Sequence, residues 1–351
     1  MNKPDLKNYT SKQLSFFVEK LGLPKYRAAQ IFSWLYRPGF TDFSQMTDIT
    51  KEVRALLAEN AVIGSFSNYT EESSKDGTVK YGFILDDGAV IESVLIPEDD
   101  RNTLCVSSQV GCAMKCAFCL TGTLGFTRNL TPAEIINQVT SVIDKIRANQ
   151  SGQTLNSEKM INNIVFMGMG EPLLNFDNLI AAIEILTDQR GLDFSQRKIT
   201  VSTCGIVPKI HELGDKTNIN LAVSLHATSD SVRNLLMPVN KKYPLKDLIE
   251  ACRKFPLPKR RRIMFEYILL KDVNDSDDDA RKLAQMLKGI PCKINLLPYN
   301  ESGELPYKQP AQERVDSFQQ ILWDAEYTVI VRSSRGSDIS AACGQLAGKS
   351  A

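Results

Sequence analysis

Apolar and polar positions change rhythm twice along this chain. Over residues 1–60 the apolar positions recur at intervals of three and four. Leu14, Phe17, Val18 and Leu21 share one face of a helix predicted over Lys12–Leu21, which Ser11 can cap and Gly22-Leu23-Pro24 breaks. A second helix is predicted from Tyr26 to Tyr36, with Ala29, Ile31, Phe32, Trp34 and Leu35 apolar and Pro38-Gly39 ending it, and a third from about Thr50 to Glu59. Three short helices bury too little to form a large core, so 1–60 reads as a small helical accessory domain. From about residue 65 the pattern becomes strand-like. Val79–Leu85 and Ala89–Pro97 flank Asp86-Asp87-Gly88, a good hairpin turn, which makes 61–97 a β-hairpin linking segment. Over 98–351 short β runs alternate with amphipathic stretches such as Pro132–Ile146 and Leu179–Leu186. The strands expected are Leu104–Ser107, Ile164–Met167, Lys198–Ser202, Leu221–Leu225, Ile263–Leu270, Lys293–Leu297 and Thr328–Arg332. Repeated βα units imply a parallel sheet or barrel of α/β class. Functional residues in such barrels gather at the C-terminal ends of the strands. Cys112–Cys119, Gly168–Glu171, Ser202–Thr203, Ser224–His226 and Asn300 all fall there.

Composition adds little until it is localised. Hydrophobic residues make up 43% of 351 and charged residues 24%, an ordinary globular balance, and no apolar run reaches the length of a membrane span. The net charge of +1 excludes a generic polyanion binder, so any nucleic-acid surface must come from clustering. Arg253, Lys254 and Lys259-Arg260-Arg261-Arg262 form such a cluster, which reads either as a phosphate contact or as a solvated face. Lys25, Arg27 and Arg37 around the aromatic second helix carry the same two readings. The N-terminus, Met-Asn-Lys-Pro-Asp-Leu-Lys, has no apolar run, so a cytoplasmic location and reduced thiols are expected.

The chemistry centres on Cys112-Ala-Met-Lys-Cys116-Ala-Phe-Cys119, three cysteines at spacings of four and three with Phe118 before the last. Three thiolates can hold three irons of a [4Fe–4S] cluster, which normally takes four, and leave one iron open. This spacing resembles the signature of radical S-adenosylmethionine (SAM) enzymes, where the open iron chelates the amino and carboxylate groups of SAM. A zinc site is the competing reading, with Cys116 and Cys119 as one half. The second half is missing, since the only histidines are His211 and His226 and the other cysteines are scattered. Inert thiols remain a third. One βα unit later, Met167-Gly168-Met169-Gly170-Glu171-Pro172 follows a strand; glycines let backbone approach a ligand, and Glu171 can accept from an ammonium group. Ser202 and Ser224-Leu225-His226 end the next strands and could hold ribose or carboxylate, although a strand-end histidine is as readily structural. Cys105 lies seven residues before Cys112, and Cys343 sits in the small-residue loop Ala-Ala-Cys-Gly, which leaves a thiol accessible. Cys204, Cys252 and Cys292 read as small buried hydrophobes.

Taken in order, Cys105–Cys112, the cysteine motif, Gly125–Leu130, Met167–Asn175, Ser224–His226, Leu236–Asn240 and the Cys343 loop resemble the RlmN/Cfr family of radical SAM RNA adenosine methyltransferases. Gly170-Glu171-Pro172-Leu173-Leu174-Asn175 looks like the RlmN branch, whereas the Cfr branch tends to carry Ala in the proline's place. The resemblance implies a partial (β/α)6 TIM-like radical SAM barrel with a small helical N-terminal domain. It implies a [4Fe–4S] cluster on Cys112, Cys116 and Cys119, and SAM bound by Gly170, Glu171, Ser202, Ser224, Leu225, His226 and Asn300, with two SAM used per turnover. Cys343 would take a methyl group from one SAM. Reductive cleavage of the second would yield a 5′-deoxyadenosyl radical that activates that methyl for addition to adenine carbon 2. Glu92 would handle a proton, and Cys105 would release the product by a transient disulfide with Cys343. The implied partners are 23S ribosomal RNA, in some members also tRNA, and an electron donor such as flavodoxin or ferredoxin, with no membrane; a monomer is expected. A Cfr-like methylation at carbon 8 of the same base is the alternative.

Overall fold

The computed structural model describes residues 3–149, 160–301 and 303–348. Its strands are β1 (Tyr69–Ser73), β2 (Val79–Ile84), β3 (Val90–Glu98), β4 (Arg101–Cys105), β5 (Gln109–Gly111), β6 (Phe126–Asn129), β7 (Asn163–Phe166), β8 (Ile199–Thr203), β9 (Asn220–Ser224), β10 (Ile263–Leu269), β11 (Cys292–Pro298) and β12 (Val329–Val331). The helices are α1 (Ser11–Lys20), α2 (Tyr26–Leu35), α3 (Lys51–Asn60), α4 (Leu120–Thr123), α5 (Pro132–Asn149), α6 (Phe176–Thr187), α7 (Val207–Lys216), α8 (Asp230–Leu236), α9 (Leu245–Lys254), α10 (Asp277–Met286) and α11 (Gln312–Asp324).

One sheet runs in the order β1-β2-β3-β4-β7-β8-β9-β10-β11-β12. From β4 onward every neighbour is parallel, and α5 to α11 supply the crossovers, so this part is the expected open (β/α) barrel. β10 sits near its middle and all seven of its residues are buried, as a strand covered on both faces requires. Local chemistry starts and stops the helices. Ser276 caps α10, and Asp277, Asp278 and Asp279 in its first turn complement the helix dipole.

Four features depart from the sequence reading. Thr10, not Ser11, caps α1, in a capping box with Gln13. Trp34 does not belong to the buried face of α2. That face is Ala28, Ile31, Phe32 and Leu35, while Trp34 bonds Asp48 and lies under the Arg37 guanidinium, 3.6 Å from ring centre. The hairpin β2–β3 forms as expected, but with β1 it extends the barrel sheet, because β3 pairs antiparallel with β4 from Val94↔Cys105 to Glu98↔Arg101. The short antiparallel ribbon β5–β6, which brackets the cysteine motif, gave no period to read. The helical segment docks on the crossover: Lys7 Nζ donates to Asn137 Oδ1 at 2.9 Å, Ala133 N–H to Asn8 Oδ1 at 2.9 Å, and Gly39 N–H to Asp144 Oδ1 at 2.9 Å.

The basic run Lys259–Arg262 precedes β10, so it lies at the N-terminal ends of the parallel strands. Arg261 donates to the Asn218 carbonyl before β9, and Arg262 to Thr328 Oγ1 at 2.8 Å before β12. This is the end of the barrel opposite Cys112–Cys119.

Candidate active site

At the C-terminal ends of the strands one cavity of about 160 Å³ is lined by Cys112, Cys116, Cys119, Gly170, Glu171, Ser202, Ser224, His226 and Cys343, among others. The sequence-predicted residues outside its lining are Glu92, Cys105, Leu225 and Asn300.

The cysteine loop is held by backbone bonds on every side. Cys112 N–H donates to Gly125 O at 2.7 Å, Ala117 N–H to Leu236 O at 2.9 Å, and Leu120 N–H to Gly344 O at 2.8 Å. The last of these ties the cysteine loop directly to the Cys343 loop. A second tie runs from Thr121 Oγ1 to Leu346 O at 2.6 Å. Burial pushes the Cys112 thiol up to about 12, and burial together with the other two cysteines raises Cys116 well above its usual range. Among the described residues no group of three or more His, Cys, Asp or Glu closes on a single metal ion. The donor set is instead three thiols facing shared open space, and they repel one another as thiolates unless a metal centre supplies positive charge. That chemistry fits a multi-iron cluster with one open iron.

Beside it, the β7 loop turns inward. Gly170 adopts φ +100, and a Cβ there would meet Gln109 Cβ at 2.5 Å and Gln109 N at 2.8 Å, so only glycine fits. Glu171 is buried, with Oε1 accepting from Leu173 N–H at 3.0 Å and Oε2 from Cys204 N–H at 2.8 Å. These bonds fix the carboxylate, and each oxygen keeps lone-pair capacity toward the cavity. His226 has φ +59 and packs edge-on against Phe118, ring centres 4.8 Å apart. Its Nδ1 accepts from Ile268 N–H at 3.0 Å, so the neutral ring carries its proton on Nε2. Burial and then Arg233 lower it to about 3.

Ser202 and Ser224 both donate to Glu266 Oε2, at 2.8 and 3.4 Å. Glu266 is a buried carboxylate in the cavity wall that the sequence reading passed over. Its signal was available: it is the one charge within the apolar strand Ile263–Leu269. Cys343 is reachable by solvent through the cavity mouth, yet enclosed enough that burial and the neighbouring Glu266 push its thiol up to about 11, with Arg332 opposing. Cys105 lies just behind the wall on β4. Burial raises its thiol, then the proximity of Cys343, which places the two sulfurs in one electrostatic neighbourhood. Asn300 Nδ2 donates to the Cys343 carbonyl at 3.4 Å and so holds the loop. Leu225 contributes backbone: its N–H donates to Glu266 O at 3.0 Å and its carbonyl accepts from Arg233 Nε at 3.0 Å. Glu92 is buried, with 3% of its surface exposed. Its Oε2 accepts from Ala347 N–H at 2.8 Å and Gly348 N–H at 3.1 Å, and Lys80 Nζ stands 3.8 Å from Oε1.

The Cys343 loop is pinned from the far side by the first hairpin. Ser74 Oγ donates to Asp338 Oδ1 at 2.6 Å, Gly336 N–H to Asp76 Oδ2 at 2.9 Å, and Lys80 Nζ to Ile339 O at 2.7 Å.

An open parallel barrel with three thiols and a Gly-Glu loop around one cavity is the architecture of a radical SAM enzyme. Residues 106–284 accordingly match the radical SAM superfamily. Enzymes of this class work with a [4Fe–4S] cluster and SAM. Residues 4–63 match the ribosomal RNA large subunit methyltransferase N-terminal domain. The dual-specificity RNA methyltransferase RlmN of Desulfotalea psychrophila is 59% identical over 98% of this chain and 95% of that protein. That of Geobacter sulfurreducens is 54% identical over 98% and 92%. A solved radical SAM methyltransferase from Sphaerobacter thermophilus superposes with a TM-score of 0.89 at 43% identity, covering 99% of this chain and 100% of that one. The chain belongs to the RlmN family.

Proposed function

We propose that this chain is a dual-specificity RNA methyltransferase that places a methyl group on carbon 2 of an adenosine in 23S ribosomal RNA and of an adenosine in tRNA. The observation that carries the reading is the shared cavity. Three thiols for a cluster, a Gly-Glu loop for SAM and an accessible Cys343 meet there, in a chain 59% identical to an RlmN.

Cys112, Cys116 and Cys119 hold the cluster. Gly170, Glu171, Ser202, Ser224 and His226 hold SAM, and Leu225 and Asn300 position the neighbouring loops. When bound, the cluster and SAM supply one-electron reductive chemistry and the methyl group. Cys343 must lose its proton to take that methyl group, and its raised pKa keeps it a neutral thiol until SAM is in place. Cys105 as thiolate then attacks the Cys343 sulfur; the S–S bond forms as the bond from that sulfur to the adenine-borne carbon breaks, and that carbon takes the electron pair and a proton to become the methyl group of the freed RNA. Glu92 handles a proton through Oε1, since two tail N–H groups occupy Oε2. The target base must leave its stack to reach the enclosed sulfur, which favours loop RNA. The helical segment 1–60 contributes RNA contacts, and an external donor of the flavodoxin or ferredoxin kind supplies electrons to a monomer. Among the described residues no helix is long and apolar enough to cross a membrane, and the enzyme works in the cytoplasm.

The test is nucleoside mass spectrometry of 23S rRNA and tRNA from a strain lacking the modification, after reaction with anaerobically reconstituted protein. The expected product is 2-methyladenosine in both; 8-methyladenosine, or no product, overturns the assignment. Cys343→Ala should yield neither product nor adduct. Cys105→Ala should accumulate RNA bound covalently to protein, seen as a gel band that ribonuclease collapses.

A further inference from the structure

We infer that Arg233 is the buried counter-charge of the iron–sulfur cluster and sets how readily the cluster is reduced, an inference that rests on the radical SAM reading above. Arg233, on α8, is fully buried at 0% exposure. Its Nε donates to Leu225 O at 3.0 Å, one terminal nitrogen to Asn240 Oδ1 at 3.0 Å, and the other to Cys204 O at 2.7 Å and Ser224 O at 3.1 Å. None of these partners is a carboxylate. Asp230 is reached only through Asn240, whose Nδ2 donates to Asp230 Oδ1 at 2.8 Å.

A buried guanidinium without a bonded anion is expensive, so a counter-charge has to lie nearby. The cavity side of this arginine provides one. Cys204, Ser224 and Met237, all in or beside its contacts, line the cavity together with Cys116. Helix α8 itself holds the cysteine loop, because Leu236 O takes the Ala117 N–H between Cys116 and Cys119. Burial disfavours the charge on Arg233, and Cys204, Cys116, Asp230 and Cys252 lie close enough to favour it when ionised. With the cluster loaded, Cys116 is a thiolate and the site is anionic. One-electron reduction adds a further negative charge. A fixed cation in a low-dielectric wall stabilises the reduced form more than the oxidised one, and so raises the midpoint potential.

The experiment is an EPR-monitored potentiometric titration of the reconstituted holoenzyme without RNA. For Arg233→Gln, the reduced-to-oxidised ratio at the wild-type midpoint should fall about tenfold, a downward shift of about 59 mV for a one-electron couple. Arg233→Lys keeps the charge and should restore most of the shift. Neither replacement can make the guanidinium's bonds to Leu225, Asn240, Cys204 and Ser224 at once, so a merely structural role would move both alike. Asp230 is exposed, and Asp230→Asn keeps an oxygen for Asn240 and Leu245 while removing the opposing charge. It should shift the midpoint upward by a smaller amount, and it decides the matter alone if the Arg233 variants do not fold. A wild-type protein that binds no iron contradicts the radical SAM reading. Loaded clusters with unmoved midpoints in Arg233→Gln and Asp230→Asn, or equal shifts for Gln and Lys, overturn only the role of Arg233.

Discussion

Replacing Glu92 separates tail anchoring from the proton handling proposed for it. The carboxylate takes two backbone N–H groups, from Ala347 at 2.8 Å and Gly348 at 3.1 Å, with Lys80 behind it. A hydrogen bond to a charged group contributes about 1.5–3 kcal/mol, a neutral one about 0.5–1.5 kcal/mol. Glu92→Gln keeps an acceptor oxygen, so it loses roughly 1 kcal/mol per bond, about 2 kcal/mol in all. Since 1.36 kcal/mol is tenfold, the population of molecules with a released tail should rise roughly 30-fold. Glu92→Ala leaves both N–H groups without their acceptor and should cost about 3–5 kcal/mol of local stability. The loss is local, because Leu120 N–H to Gly344 O and Thr121 Oγ1 to Leu346 O persist nearby. The assay is hydrogen exchange read by mass spectrometry on the peptide holding Ala347 and Gly348, beside the thermal midpoint of the whole protein. Faster exchange at an almost unchanged midpoint is expected for Gln, with Ala faster still. Unchanged exchange in both variants would refute the anchor and leave Glu92 as a proton-transfer group alone.

Two further outcomes follow from the cavity wall. His226 is held near 3 while the unfolded residue titrates near 6.5, so below pH 6.5 the unfolded chain binds a proton that the folded one refuses. Stability from this residue is complete above pH 6.5 and is lost as pH falls, by about 2 kcal/mol at pH 5. His226→Asn, which tolerates the positive φ, should flatten that slope in anaerobic thermal unfolding at pH 7 and 5, and parallel slopes for variant and wild type would remove His226 as its source. Gly170→Ala drives a Cβ into Gln109 at a φ of +100, so the loop must shift and SAM affinity in equilibrium dialysis should drop at least roughly tenfold; binding within twofold of wild type would show that the loop absorbs the methyl.

What the sequence made legible was whatever repeats or is local. The βα alternation placed all seven parallel strands, because a strand covered on both faces is an apolar run between turn signals. The cysteine motif was legible because three thiols on one loop need no tertiary partner. What stayed hidden depends on distant parts of the chain. Glu266 and Arg233 matter through neighbours on other strands, and Glu92 through a tail some 255 residues away. The place of the basic run Lys259–Arg262 was legible in outline. It stands before a strand, and in a parallel barrel that is the end away from the cavity. The capping position was missed by one residue because Thr10 and Ser11 are both good caps and only Gln13 decides between them.

The latch between the first hairpin and the Cys343 loop has a consequence for biosynthesis. Ser74, Asp76 and Glu92 are among the early residues to leave the ribosome, and Asp338, Cys343 and Ala347 are among the late ones. The cysteine loop and the Gly-Glu loop are therefore translated well before the sulfur that serves them. A nascent or prematurely terminated chain can display the three thiols of the cysteine loop, yet it lacks the Cys343 sulfur proposed as methyl acceptor and the Cys343 loop that lines the cavity. Closure requires early and late segments together, a long-range contact whose loop-closure entropy must be met before it forms. On the proposed role of Cys343, the molecule that holds a target for radical chemistry is thus also the molecule that has been translated through Cys343.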